Sequence, residues 1–147
     1  VADLPTDEQT IHATTVSLDG RGLIILGPSG SGKSALALQL LALGAVLVSD
    51  DQTRLTLTPQ GLIANCPPTI AGMIEARGVG ILTVPFDRDV PICLAVDMGR
   101  NEQERLPEPH RIELIGHSLP CLHKIDGPQF AAALLLFLKN MQPQRNE

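Results

Sequence analysis

Eight consecutive residues, Gly27-Pro28-Ser29-Gly30-Ser31-Gly32-Lys33-Ser34, have the types and spacing that chemistry on a phosphate requires. They match G-x-x-x-x-G-K-S/T, in which glycines remove the side chains that would hold a ligand off the backbone, so that successive N–H groups can wrap an anion. Lys33 adds a mobile point charge for outer phosphates, and the Ser34 hydroxyl is a hard oxygen of the kind Mg²⁺ prefers. Further along, Asp50 and Asp51 close an apolar run, where a general base or a metal ligand would face that loop. Adjacent carboxylates at a strand end point in different directions, so the two divide the work, and either can be the base.

The flanking sequence supplies the elements that such a loop needs. Gly22-Leu23-Ile24-Ile25-Leu26 is an apolar run of strand length, and Ala35 to Leu41 consists mostly of good helix formers, with Gly44 placed to cap the helix. Ahead of them, Ile11 to Leu18 reads as a strand joined by the turn Asp19-Gly20 to the next. Ala45 to Val48 reads as a buried strand, and Thr53 to Thr58 and Leu62 to Asn65 form a hairpin. The pattern predicts a short helical turn over Ile70 to Glu75 and a glycine-containing loop over Ala76 to Gly80. Strands are expected at Ile81–Val84, Ile92–Asp97, Arg111–Ile115 and Leu119–Ile125, with an exposed loop at Arg100–Arg105. A last helix spans Pro128 to Asn140, residues 1–9 form a lead-in and residues 143–147 a tail. Two helices among many hairpin-connected strands predict a strand-rich α/β domain that carries its phosphate loop outside the regular doubly wound frame.

Composition narrows the function classes. The 147 residues fit one domain, and a net charge of -5 with no Trp and no Tyr argues against nucleic-acid backbones and base stacking as the main business. Hydrophobic residues at 44% exclude a disordered chain, and the densest apolar run, Phe130 to Leu138, is too short to span a bilayer. Val1-Ala2-Asp3-Leu4 offers no basic segment of a signal peptide, so a cytoplasmic protein without membrane attachment is expected. Cys66, Cys93 and Cys121 lack paired spacing and are expected as buried reduced thiols. His110, His117 and His123 show neither zinc-ligand spacing nor a carboxylate pattern, and Asp97, which ends a second aliphatic run, is read as structural.

Taken in order, His12, the phosphate loop, Ser49-Asp50-Asp51 and Ile74-Glu75-Ala76-Arg77-Gly78-Val79-Gly80-Ile81-Leu82 resemble the catalytic domain of bacterial HPr kinase/phosphorylase. The family's hallmark reads close to I-E-V-R-G-L-G-I-I, and the likeness runs from Thr10 to Arg105, more weakly to Leu138. The resemblance implies a fold related to phosphoenolpyruvate carboxykinase and phosphoryl transfer from ATP with Mg²⁺, in many members also from pyrophosphate, to a serine of the carrier protein HPr. It also implies a role in regulating the sugar phosphotransferase system, and often a hexamer. The chain looks like the short, alphaproteobacterial-type form without the family's separate N-terminal domain. Where the family carries an arginine tied to dephosphorylation, His123 to Gln129 has none, so kinase activity carries over and phosphorylase activity stays open.

Position by position, the resemblance makes Asp51 the general base and keeps Asp50 as a metal ligand or alternate base. Ser34 and Glu75 join Asp50 around the metal, and Arg77, with Gly78 and Gly80, belongs to the signature loop, bridging phosphate or holding the glycines in place. His12 is placed to donate to a phosphate or to orient Asp51, and Arg105 to assist transfer. Two other readings compete with the protein kinase. A small-molecule kinase would transfer phosphate without a protein acceptor, and a nucleotide-sensing module would bind ATP with no need of a base.

Overall fold

The structure, a computed structural model, describes residues 7–141. Short runs of β-branched and aliphatic residues, punctuated by glycine, aspartate and proline, form β1 (Glu8–Ile11), β2 (Thr14–Leu18), β3 (Arg21–Leu26), β4 (Val46–Ser49), β5 (Thr53–Thr58) and β6 (Gly61–Asn65). These are followed by β7 (Met73–Ala76), β8 (Gly80–Thr83), β9 (Val90–Asn101), β10 (His110–Leu114) and β11 (His117–Lys124). The two α-helices among the described residues are α1 (Lys33–Ala42) and α2 (Phe130–Asn140).

Nine strands make one sheet in the order β1-β5-β6-β9-β3-β2-β4, with β11 also paired to β9 and β10 to β11; β7 and β8 form a separate hairpin. The centre of the sheet is parallel, β3 against β9 and β9 against β11, and the flanks are antiparallel. Strands buried on both faces need apolar residues at every position, which is why Leu23, Ile24 and Ile25 are all fully buried. Alternation sorts them into two cores. Leu23 and Ile25, with Leu94 and Val96, pack under Leu36 and Leu40 of α1 and Leu134 and Leu138 of α2. Ile24 and Ala95 face the other way, onto Leu55, Leu62 and Leu119.

Several boundaries differ from the sequence reading. Glu8 and Gln9 belong to an edge strand paired with β5, while residues 1–6 and the expected tail lie outside the described residues. The helical turn expected over Ile70 to Glu75 is confined to a 3₁₀ turn at Pro68–Ile70, and Met73–Ala76 is a strand. Gly72 breaks the helix there: it sits at φ 74°, and an added Cβ would come within 3.0 Å of the Val84 carbonyl oxygen. Strand β9 runs on past the expected Asp97 end through Arg100 and Asn101, the first two residues of the expected loop, because β11 continues alongside and supplies hydrogen-bonding partners. Asp19 (φ 52°) and Gly20 (φ 78°) make the tight turn expected between β2 and β3.

Cys93 and Cys121 are buried, and burial pushes both thiols up, Cys121 to about 11; Cys66 is only half-buried, contrary to expectation. No helix among the described residues is long and apolar enough to cross a membrane.

Candidate active site

The parallel pair β3–β9 delivers the chain to the glycine-rich loop, and α1 leaves it at Lys33. Gly27, Gly30 and Gly32 take φ values of 145°, 82° and 97°, conformations that a side chain resists. At Gly27 a Cβ would also lie 2.7 Å from the Ser31 hydroxyl and 3.0 Å from Met98 Cβ, so the loop turns hard against the end of β9. Lys33 is 6% exposed, and its ammonium donates to the carbonyls of Gly27 (2.8 Å) and Pro28 (3.1 Å). The buried Ser31 hydroxyl oxygen has no hydrogen-bond partner among the described residues. Orphan donors beside the N-terminus of a helix suit an anion.

Asp50 is the hub beneath this loop. It is 7% exposed; its Oδ1 accepts from Ser34 Oγ (2.6 Å) and Thr14 Oγ1 (3.1 Å), and its Oδ2 from the Glu75 backbone N–H (3.2 Å). Thr14 in turn accepts the Asp51 backbone N–H (3.0 Å). One buried carboxylate thereby ties β2, α1 and the β7–β8 hairpin to the end of β4. Asp51, next along, has φ 72°, and the Gln52 N–H donates to the Asp50 carbonyl (2.8 Å), closing a strained γ-turn. That turn throws the Asp51 carboxylate outward, where Oδ1 lies 2.7 Å from His12 Nε2; the side chains are 63% and 46% exposed.

A cleft of about 440 Å³ brings many of the predicted residues together, His12, Ser29, Gly30, Gly32, Lys33, Ser34, Asp51, Glu75 and Arg77 all lining it, while Asp50 lines only a second cavity. That second cavity, of about 390 Å³, shares Asp51 and Glu75 and continues over Ile70, Met73 and Ile81. Gly78 (φ 84°) and Gly80 (φ 138°) form the hairpin turn beyond these walls. Arg105 stands apart, exposed in the segment between β9 and β10 and lining neither cavity. Asp97 lies within β9, where its Oδ1 accepts the Gly99 N–H at 2.9 Å.

Sequence reasoning missed Thr14, the residue that links both aspartates. A threonine in a β-branched run carries no signal beyond strand propensity. It also missed the convergence of His110 and His123 on Glu102, contrary to the expectation that these histidines lack a carboxylate partner.

Chemically, the cleft sets anion-binding backbone and a lysine on one side of an exposed carboxylate, and an apolar-edged approach on the other. A hydroxyl brought to Asp51 could give up its proton there while the loop holds a phosphate.

The chain is similar to known proteins. Residues 4–86 match the model of the HPr serine kinase C-terminal domain. The HPr kinase/phosphorylase of Bordetella petrii is 41% identical over 76 residues, covering 51% of this chain and 25% of that protein. That of Cupriavidus necator is 36% identical over 109 residues, covering 67% of this chain and 34% of its own length. The matched stretch thus spans a quarter to a third of these relatives. The structure of the HPr(Ser) kinase/phosphatase from Coxiella burnetii superposes with a TM-score of 0.75 at 25% identity, over 90% of this chain and 95% of that one.

Proposed function

This chain belongs to the HPr serine kinase C-terminal domain family, and from that premise we propose that it transfers the terminal phosphoryl group of ATP to a serine of the carrier protein HPr. The observation that carries the proposal is the shared wall of the two cavities: Asp51 and Glu75 stand between the phosphate loop and a separate, apolar-edged approach. A donor nucleotide would occupy the loop side, and the acceptor serine would enter from the other. We read the strand-rich frame as the phosphoenolpyruvate carboxykinase-like type, the setting as cytoplasmic, and the pathway as control of the sugar phosphotransferase system.

In this proposal the backbone of Gly27 to Gly32 and the orphan Ser31 hydroxyl bind phosphate oxygens, and the Lys33 ammonium exchanges its carbonyl partners for them. Ser34, Asp50 and Glu75 offer the hard oxygens that suit Mg²⁺, which supplies charge neutralisation at the transferring group when bound. Asp51 accepts the serine proton. His12 positions the Asp51 carboxylate through the 2.7 Å hydrogen bond, and Arg77 meets phosphate at the cleft wall. A purely nucleotide-sensing module would have no use for a strained turn that presents a carboxylate to solvent.

The test is transfer from ATP with Mg²⁺ to purified HPr, with the product located by mass spectrometry, for the wild type and Asp51→Asn. The expected outcome is a single modified HPr serine and a fall of about 10²- to 10⁴-fold in Asp51→Asn with ATP binding intact. Modification of a small molecule without HPr, or equal transfer by the variant, would overturn the assignment.

A further inference from the structure

At the far end of β9 the register of three segments gathers a second set of chemistry-bearing side chains. In the β10–β11 pair His110 stands opposite Cys121, and His123, two residues on, shares that face of the ribbon. A bulge between His123 and Lys124 marks where β11 slips against β9. Glu102 begins the segment after β9, and its N–H donates to the Lys124 carbonyl at 2.9 Å.

The Glu102 carboxylate is held in one orientation. Its Oε2 accepts the backbone N–H groups of Gln103 and Glu104, both at 3.1 Å. Its Oε1 therefore faces the imidazoles, 2.9 Å from His110 Nε2 and 3.8 Å from His123 Nδ1. The two rings stack with centroids 3.9 Å apart and planes 8° from parallel. The side chains are 9%, 31% and 17% exposed for Glu102, His110 and His123. All three ligand atoms lie within 4.8 Å of one another.

We propose that Glu102, His110 and His123 form a binding site for a Zn²⁺-class divalent transition ion, separate from the phosphate-transfer cleft. Two neutral imidazole nitrogens and one carboxylate oxygen are a borderline donor set that suits Zn²⁺ and disfavours Mg²⁺, which seeks oxygen alone. Metal–ligand bonds of about 2.0–2.2 Å in a tetrahedron set ligand atoms roughly 3.3 Å apart. The 2.9 Å contact must open, and the 3.8 Å contact close, by about half an ångström each. Parallel rings must leave their stack to aim both lone pairs at one ion; the last torsion of histidine is broad enough to allow this. Water takes the fourth position. The oriented carboxylate and the partial burial of all three groups distinguish this cluster from a chance surface grouping. Bound there, the ion fastens the start of the segment that carries Arg105 to the β10–β11 ribbon.

The test is calorimetric titration of the metal-stripped chain with Zn²⁺ in excess Mg²⁺, with Co²⁺ as an optical probe. One ion per chain is expected, with the visible bands of four-coordinate Co²⁺. Binding should weaken at least tenfold in each of Glu102→Gln, His110→Gln and His123→Gln and stay unchanged in His12→Gln and His117→Gln. X-ray absorption of the Zn²⁺-loaded wild-type chain, which depends on no variant, should show two imidazoles. Absence of Zn²⁺ binding, displacement by Mg²⁺, a spectrum without two imidazoles, or affinity retained by all three ligand variants would overturn the site.

Discussion

The floor of the cleft and its rim carry adjacent aspartates in opposite conditions. Asp50, on the floor, is 7% exposed and accepts three hydrogen bonds from β2, α1 and the β7–β8 hairpin. Asp51, on the rim, has a 63% exposed side chain, and its main link to the protein beyond the turn is one exposed histidine. A buried carboxylate with filled acceptors is expensive to remove, because each donor left behind loses its partner. An exposed carboxylate on a strained turn contributes little to folding, and a residue kept at positive φ without stabilising the fold is a candidate for chemistry. Under the proposed function, stability falls to one and reactivity to the other of two neighbouring residues at one strand end.

The comparison is sharpest at Asp51→Gly. Glycine accepts the 72° φ without strain, and the lost exposed pair with His12 contributes only about 0–1 kcal/mol. Folding stability should stay within about 1 kcal/mol of wild type, while phosphate transfer falls by roughly 10²- to 10⁴-fold. Thermal denaturation beside a transfer assay checks both halves, and a large drop in melting temperature would place Asp51 among the structural residues.

Asp50→Ala is expected to invert the pattern. It strands the Thr14 and Ser34 hydroxyls and the Glu75 N–H, for a loss of roughly 2–4 kcal/mol. For a chain of this size that is about 5–15 °C in Tm. Since the Glu75 N–H is one of the stranded groups, amide exchange should rise first in β7. An unchanged Tm would mean that the hairpin is held by Ile74 in the core rather than by the carboxylate.

How much of this was legible in the sequence follows from how local each feature is. The glycine-rich loop, its strand and its helix are contiguous, so spacing alone reveals them, as it does the turn at Asp19-Gly20. Asp50 and Asp51 stood out as a pair, yet their division depends on a γ-turn and on Thr14, which lies 36 residues from Asp50. The strand Met73–Ala76 is four residues long, too short for a period of two to outweigh a helical reading. Glu102, His110 and His123 come from separate segments and meet only through strand register, so no linear ligand spacing exists to be found.

The two arginines that the family resemblance singles out provide the finest test of floor and rim. Arg77 follows β7, which the Asp50 hydrogen bond to Glu75 fastens to the floor, and it lines the cleft. Arg105 lies beyond the end of β9, exposed, lining neither cavity, and outside residues 4–86 that match the family model. A charge that meets phosphate in a partly enclosed cleft acts through a charge-assisted hydrogen bond of about 1.5–3 kcal/mol, whereas an exposed charge is screened by water and salt. Arg77→Ala should therefore lower transfer by roughly ten- to a hundredfold, and Arg105→Ala by no more than about threefold. Steady-state transfer to HPr at two salt concentrations would compare them. Equal losses in the two variants would mean that the β9–β10 segment closes over the cleft during the reaction, and Arg105 would then belong to the rim.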